Sequence, residues 1–378
     1  MNMKKIRLGD VATYVNGYAF KPSDRGEKGL PIIRIQDLTG NAYDIGFYDG
    51  DYPKRVEINN GDILISWSAS LGVYVWDQGK ALLNQHIFKV VFDKADINKY
   101  YFVYAVKYNL NLMELKAHGA TMKHIVKKDF DNTLIPYPSL QEQEKIAFSL
   151  SKVSQIIDQR QQELYKLDEL VKARFVEMFG DLDNNEKEFE VKSIQDVCEQ
   201  IKDGTHQTPE YTEDAVNGFK FLSSKDVTSG KIDWSNIKHI PPYLHEELYK
   251  RIAPKQGDVL LAKNGTTGVA AVVDTDEVFD IYVSLALLRP IEMNSIYLWA
   301  VINSDDTQKQ FNCSLKGIGV PNLHLGEIKK TKILVPPIEL QNQFATFVKQ
   351  IDKSKVAVQK ALDEAQLLFD SLMQEYFG

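Results

Sequence analysis

Glu327-Ile328-Lys329, with Asp305 and Asp306 upstream, has the residue types of a metal-dependent nuclease. Paired carboxylates there would hold the cation and the lysine would steady the charged oxygen. The corresponding positions in the repeat described below are Asp129 and Asp131, which puts an acid where the lysine is needed. Ile240-Pro241-Pro242-Tyr243 has the outline of an amino-methyltransferase motif, but Ile240 cannot accept a hydrogen bond from a target amine, so it reads as a rigid turn. Gly317-Ile318-Gly319 is the nearest approach to a nucleotide-binding turn, and it lacks the preceding strand that such a turn requires. No GxxxxGK[ST] run cradles a phosphate and no HExxH binds zinc. The seven histidines are scattered; His86, in LLNQHIF, reads as a core residue of an apolar strand. Cys198 and Cys313 are the only cysteines, too few for a disulfide framework or a zinc cluster. The chain is expected to do no chemistry of its own and to carry no cofactor or metal.

Composition narrows the class further. The chain is 44% hydrophobic and 26% charged, with net charge −7, which excludes a polycation that coats nucleic acid by charge alone. Few cysteines fit a reducing cytoplasm. MNMKKIRLGD lacks the apolar core of a signal peptide, and no apolar run is long enough to span a membrane.

The chain is written twice. PYPSLQEQ (136–143) and LVPPIELQ (334–341) share Pro138/Pro336 and Gln143/Gln341 at an offset of 198. The same offset carries Gly119 onto Gly317 and Phe179-Gly180 onto Phe377-Gly378. Upstream, Gly61-Asp62-Ile63-Leu64 matches Gly257-Asp258-Val259-Leu260 at 196, and LGDV (8–11) resembles IQDV (194–197) at 186. A unit this long is a duplicated module, not a solenoid repeat. The in-register part is helical. Ile146, Leu150, Val153, Ile157, Leu164, Leu167, Val171 and Met178 keep heptad spacing, interrupted by Arg160 and Arg174. Phe344, Val348, Ile351, Val358, Leu362, Ala365, Phe369, Leu372 and Tyr376 superpose on them, interrupted by Lys355. Two equal seams in one chain are expected to bury each other as a coiled coil. Ser139 and Glu142 form a capping-box pattern, and Gly180 suits a left-handed helix end. The expected organisation is a first module (1–138), a central helix (139–180), a second module (181–336) and a C-terminal helix (337–378).

The modules read as mixed α/β. GDILISWSASLGVYVW (61–76) and GDVLLAKNGTTGVAAVVD (257–274) each give a turn, an apolar strand, a small polar loop and a second strand. Strands are also expected in 31–38 and 219–227, and helices near 99–116 and 294–311. Residues 1–139 carry 18 basic and 15 acidic residues, whereas 181–338 carry 17 and 24. Small polar and basic residues in the loops suit base edges and phosphates. In the first module these are Ser66, Ser68, Ser70, Gln85, His86, Lys123, His124 and the Lys127-Lys128 pair. In the second they are Thr205, His206, Lys225, Lys263, Asn264, Thr266, Thr267, Asn322 and His324.

This layout resembles the specificity subunit of type I restriction-modification enzymes, over essentially the whole chain. KIRLGDVA (5–12) resembles that family's domain start, and IKDGTHQTPEY (201–211) one common type of recognition domain. GATMKHIVKKDF and GIGVPNLHLGEI resemble the segments that close such domains. Pro138–Gln143 and Pro336–Gln341 resemble the helix starts, and FVEMFG and LMQEYFG the endings. The resemblance implies an α+β chain: two target-recognition domains joined by two long antiparallel coiled-coil helices with a pseudo-two-fold repeat. It implies that double-stranded DNA is read as a bipartite target, one domain per half-site. It implies that the helices hold two modification (methyltransferase) subunits, with restriction (translocase/endonuclease) subunits joining the complex. S-adenosylmethionine, ATP and Mg would then be used in those partners. The acidic second module departs from what a DNA reader is expected to show. The rival classes are a coiled-coil assembly scaffold that never binds DNA and a duplicated sugar- or peptide-binding module, to which Trp67, Trp76 and Trp234 would contribute.

Overall fold

In a computed structural model the chain is described over residues 4–116, 125–227, 230–315 and 321–378. It divides into two compact units, Met1–Gln161 with Lys360–Gly378, and Gln162–Gln359. The boundary therefore falls inside both long helices, Leu140–Phe179 and Ile338–Phe377.

The first unit is built on a four-stranded antiparallel sheet ordered Thr13–Asn16, Ile87–Val91, Ile63–Ser66, Gly72–Val75. The second unit repeats it as Cys198–Asp203, Leu285–Pro290, Val259–Ala262, Ala270–Val272. The two Gly-Asp strands are continuous apolar runs because both of their faces are covered. Side chains alternate across a strand. Val259 and Leu261 thus enter a core that includes residues of the long helices, while Leu260 and Ala262 enter a separate core with Phe279 and Ile281. Ile63 and Ile65 are divided from Leu64 in the same way.

Beside each main sheet lies a second one, of four short strands in the first unit and three in the second, that contains a parallel pair: Leu30–Ile33 with Ala81–Leu83, and Phe219–Leu222 with Phe279–Ile281. The strands expected over 31–38 and 219–227 stop at Ile33 and Leu222. Asp37 Oδ2 accepts from the Arg34 amide at 2.8 Å and Asp226 Oδ2 from the Ser223 amide at 2.7 Å, and each carboxylate closes a short helical turn. Gly17 and Gly204 mark where the chain leaves one sheet for the other. A Cβ at Gly17 would lie 2.0 Å from the Asn84 carbonyl oxygen, and one at Gly204 would lie 2.0 Å from that of Ile281.

Lys99–Lys116 is one helix, as expected, but its counterpart breaks into Ser295–Ile302 and Asp305–Ser314. Asn303 ends the first piece, donating from Nδ2 to the Ala270 and Trp299 carbonyls at 3.2 and 2.9 Å.

The long helices are antiparallel, since each unit's core joins the start of one to the end of the other. In the first unit Ile146, Leu150, Val153 and Ile157 share a core with Leu362, Phe369 and Leu372. In the second, Leu167 and Val171 share one with Phe344, Val348 and Ile351. Val358 is buried and Leu164 half-buried. Lys355 pairs with Asp168. Near the helix ends the buried stripe turns away from the expected seam. Phe175, Phe179, Met373 and Phe377 are buried, whereas Met178 and Tyr376 are half-buried. The reason is that these ends pack on the globular part of their unit as well as on the other helix. Phe179 meets Tyr297 edge-on at 4.8 Å and Phe377 lies 5.3 Å from Tyr101. Gly180 takes the left-handed conformation, φ +72°, and Ser139 Oγ accepts from the Glu142 amide at 3.3 Å.

A buried glutamine ties each helix start to its unit. Gln143 Oε1 accepts from the Asn98 amide at 2.9 Å and its Nε2 donates to the Pro138 carbonyl at 3.0 Å. Gln341 does the same with Asn294 and Pro336, at 2.9 and 2.8 Å. Asn98 and Asn294 in turn cap the helices that begin just after them. Tyr101 and Tyr297 donate their hydroxyls to the Pro136 and Leu334 carbonyls, both at 2.8 Å.

The second unit also buries an imidazole–carboxylate pair. His245 Nδ1 lies 2.7 Å from Asp280 Oδ2, and Phe219 stacks on the imidazole at 3.6 Å. Burial pushes the Asp280 carboxyl up to about 6, with the His245 hydrogen bond opposing.

Two outcomes are expected. Gln143→Ala or Gln341→Ala leaves a buried amide and a carbonyl without partners and costs about 1–3 kcal/mol. Urea unfolding of the full chain checks this, and an unshifted midpoint counts against the tie. For Asp280 the folded pKa lies above the unfolded value of about 3.9. The folded state therefore holds the proton longer, and stability falls as pH rises from about 4 to 6. The loss from this group is about 3 kcal/mol in all. The Tm of Asp280→Asn should fall less than that of the unsubstituted chain over this window; parallel profiles would refute the assignment.

Candidate nucleic-acid interface

At one end of each main sheet the backbone brings three segments together. In the second unit the Lys263 amide donates to the Ser284 carbonyl at 2.9 Å, and the Leu323 amide donates to the Lys263 carbonyl at 2.8 Å. Gly265 N–H donates to the Pro321 carbonyl at 3.2 Å, and Asn264 bridges to Asn322. In the first unit the Trp67 amide donates to the His86 carbonyl at 3.2 Å and the Ile125 amide to the Trp67 carbonyl at 2.9 Å. Trp67 thus stands where Lys263 stands, His86 where Ser284 does, and Ile125 where Leu323 does. Main-chain bonds make the scaffold in both units, so side chains are free to differ.

In the first unit the scaffold gathers Ser66, Ser68, Ser70, Gln85 and His86. Ser66 is buried and donates its Oγ to the Ser70 carbonyl at 2.6 Å, a bond that shapes the loop. Ser68 is half-buried; Ser70 and Gln85 are exposed. His86 is not in a strand. It occupies a turn between Ala81–Leu83 and Ile87–Val91 with φ +72°, its ring edge-on to Trp67 at 4.9 Å, and its buried Nδ1 has no hydrogen-bond partner among the described residues. Its neighbours' apolar character comes from the strands on either side. Lys123 and His124 lie outside the described residues, as does Gly317-Ile318-Gly319. Lys127 pairs with Asp131 at 2.6 Å, and Lys128 is exposed.

In the second unit the same end is ionic. Asp203, 8% exposed, closes its strand and faces three basic side chains. Arg251 Nη2 is 3.2 Å from Oδ1, while His206 Nε2 and Lys263 Nζ are 3.2 and 3.6 Å from Oδ2. Arg251 Nη1 also donates to the Gly204 carbonyl at 3.1 Å. Lys263 is buried in this pair, whereas His206 is exposed. Thr205 is buried, its Oγ1 accepting from the Gln207 amide at 3.3 Å. The Ser224 amide donates to Ser284 Oγ at 2.9 Å, which brings the turn bearing exposed Lys225 alongside. Thr266 is exposed and Thr267 half-buried. Asn264 and Asn322 each have a buried Oδ1 without a donor among the described residues. His324 is exposed at the start of the helix Leu325–Lys330.

Sequence reasoning missed Asp203 and Arg251. Asp203 adjoins Gly204-Thr205-His206 and was within reach. Arg251 ends the helix Pro242–Arg251, far along the chain, and nothing local marks it.

The fragments that resembled catalytic motifs have other positions. Asp306 Oδ2 accepts from the Leu182 amide at 2.7 Å, Ile328 of the Glu-Ile-Lys run is buried, and Pro241-Pro242 starts a helix. Among the described residues no group of three His, Cys, Asp or Glu could hold a metal, and no helix is long and apolar enough to cross a membrane.

Comparisons with known proteins agree with this duplicated build. The chain is 24% identical to the type I restriction enzyme EcoBI specificity subunit of Escherichia coli, an alignment covering 98% of this chain and 83% of that one. It is 25% identical to the MjaVIII specificity subunit of Methanocaldococcus jannaschii, covering 94% and 89%. The fold is similar to the crystal structure of a type I restriction-modification S subunit from M. genitalium, with TM-score 0.58 and 16% identity over 100% of this chain and 96% of that one. A second solved chain, from a study of complex assembly in a type I system, gives TM-score 0.56 at 16% identity, over 100% and 98%. The family model described as type I restriction modification DNA specificity domain matches twice, over residues 1–168 and 186–365. With a matching domain in each half, the chain belongs to the type I restriction-modification DNA specificity family, whose role is recognition of a DNA target.

Proposed function

We propose that this chain reads a bipartite, asymmetric double-stranded DNA target, one unit per half-site, as the specificity subunit of a cytoplasmic type I complex. The observation that carries this reading is the loop scaffold made twice by equivalent main-chain bonds and furnished differently, with Trp67 and His86 in one unit and Lys263 and Asp203 in the other. Equivalent scaffolds suit equivalent stretches of duplex, and different side chains suit different bases. The candidate DNA contacts are those named above, with Lys263 acting through its ion pair and not as a free side chain.

The long helices are proposed to hold two modification subunits and to set the gap between half-sites. Apolar side chains off their buried stripes support docking: Phe148 is 65% exposed, Val356 71% and Leu367 73%. The chain itself is taken to be non-catalytic. Methylation with S-adenosylmethionine, and ATP- and Mg-dependent cleavage, would belong to the modification and restriction subunits. The acidity of 181–338 favours the second reading, a scaffold that binds only proteins. Salt dependence separates the two, because a DNA reader releases counterions and loses affinity as salt rises.

Mapping genomic methylated adenines with Thr266→Glu in the complex should show relaxed sequence at one half-site only. Equal disturbance of both halves would overturn one unit per half-site. Inserting four residues after Leu164 adds about 6 Å and rotates the following seam by about 40°. The expected result is an altered gap or lost assembly; full activity at the original gap would refute the spacing role.

A further inference from the structure

The Asp203 cluster has more positive than negative charge, and the excess lies toward solvent. Asp203 and Lys263 are both nearly buried, their side chains 11% and 7% exposed, and the pair neutralises itself. Arg251 is held on the same carboxylate yet its side chain is 46% exposed. Lys202, also exposed, donates from Nζ to the Arg251 carbonyl at 3.3 Å and brings a second positive charge to the site. Asp203 and the Gly204 carbonyl hold the guanidinium through Nη2 and Nη1, at 3.2 and 3.1 Å. A guanidinium has five N–H donors in a planar fork. The two bonds fix its plane and leave donors for a further acceptor on the solvent side. Gly204 leaves no room for a side chain, since an added Cβ would lie 2.0 Å from the Ile281 carbonyl oxygen.

We infer that Arg251 contacts a phosphate of the DNA backbone in the second half-site, and that Asp203 is a positioning residue that never touches DNA. This rests on the DNA-reading function proposed above. A phosphodiester matches the fork, and a fork already held loses little entropy on binding it. It also gives the acidic second module a local cationic grip. A phosphate contact carries no base information, so its loss weakens all sequences alike.

The test uses the full chain assembled with its modification subunits. The probes are a duplex bearing the methylated motif found by genomic mapping and a random-sequence duplex of the same length. Arg251→Ala is expected to weaken both about tenfold at low salt, to leave their ratio unchanged and to lower the slope of log affinity against log salt by about 1. Arg251→Lys keeps the charge and is expected to keep the slope with a smaller loss, which preserves the test if the alanine variant misfolds. Asp203→Asn keeps every cation, so affinity should drop severalfold with the slope unchanged. A salt slope unaltered in Arg251→Ala, with a lower Tm, would make Arg251 purely structural and overturn the inference while leaving DNA reading intact. A changed target-to-random ratio would make it a base reader and overturn the phosphate assignment. No salt-dependent binding by the unsubstituted complex would instead defeat the DNA-reading function itself.

Discussion

A carboxamide shut away from water must find partners for both its oxygen and its N–H, or the fold bears the desolvation cost. Gln143 and Gln341, 0% and 1% exposed, find theirs in the loop before them and in the amide of an asparagine that caps another helix. Each side chain therefore ties three things together: the start of a long helix, the loop that leads into it and the first turn of a globular helix. Tyr101 and Tyr297 reinforce the junction from the same helices. Everything a unit presents to a ligand is oriented, through this junction, with respect to the helix that leaves it.

Above that junction the two units use one plan. The strand that leaves the main sheet at Gly17 or Gly204 passes so close to a neighbouring carbonyl that no side chain fits. A strand of the second sheet ends in a turn capped by Asp37 or Asp226. These positions shape backbone and are alike in both copies. The positions at the loop ends differ, aromatic around Trp67 and His86, ionic around Asp203 and Lys263. A fold whose main-chain bonds carry the geometry tolerates such exchange of side chains at its loop ends.

Charge follows the same division. The second module is acidic overall, yet Lys263, Arg251 and His206 converge on a single carboxylate. Net charge governs long-range steering; local geometry governs contact. An acidic domain can therefore still present a cationic spot.

Periodic and local features were legible in the sequence. The heptad spacing through Ile146, Leu150, Val153 and Ile157 marked a buried stripe, and Gly180 and Ser139 marked the ends of the first long helix. The 198-residue offset marked the duplication, and the helices were readable because backbone hydrogen bonding and burial of one face depend on near neighbours. Where the stripe turns onto Phe175, Phe179, Met373 and Phe377 is set by tertiary packing, since it depends on Tyr297 and Tyr101 arriving from elsewhere in the chain. Tertiary packing likewise removed His86 from a strand and brought Arg251 to Asp203 across nearly fifty residues. Local pattern marks the long helices and their repetition; which charges meet rests on tertiary packing, because an ion pair depends on distance in space and not on separation along the chain.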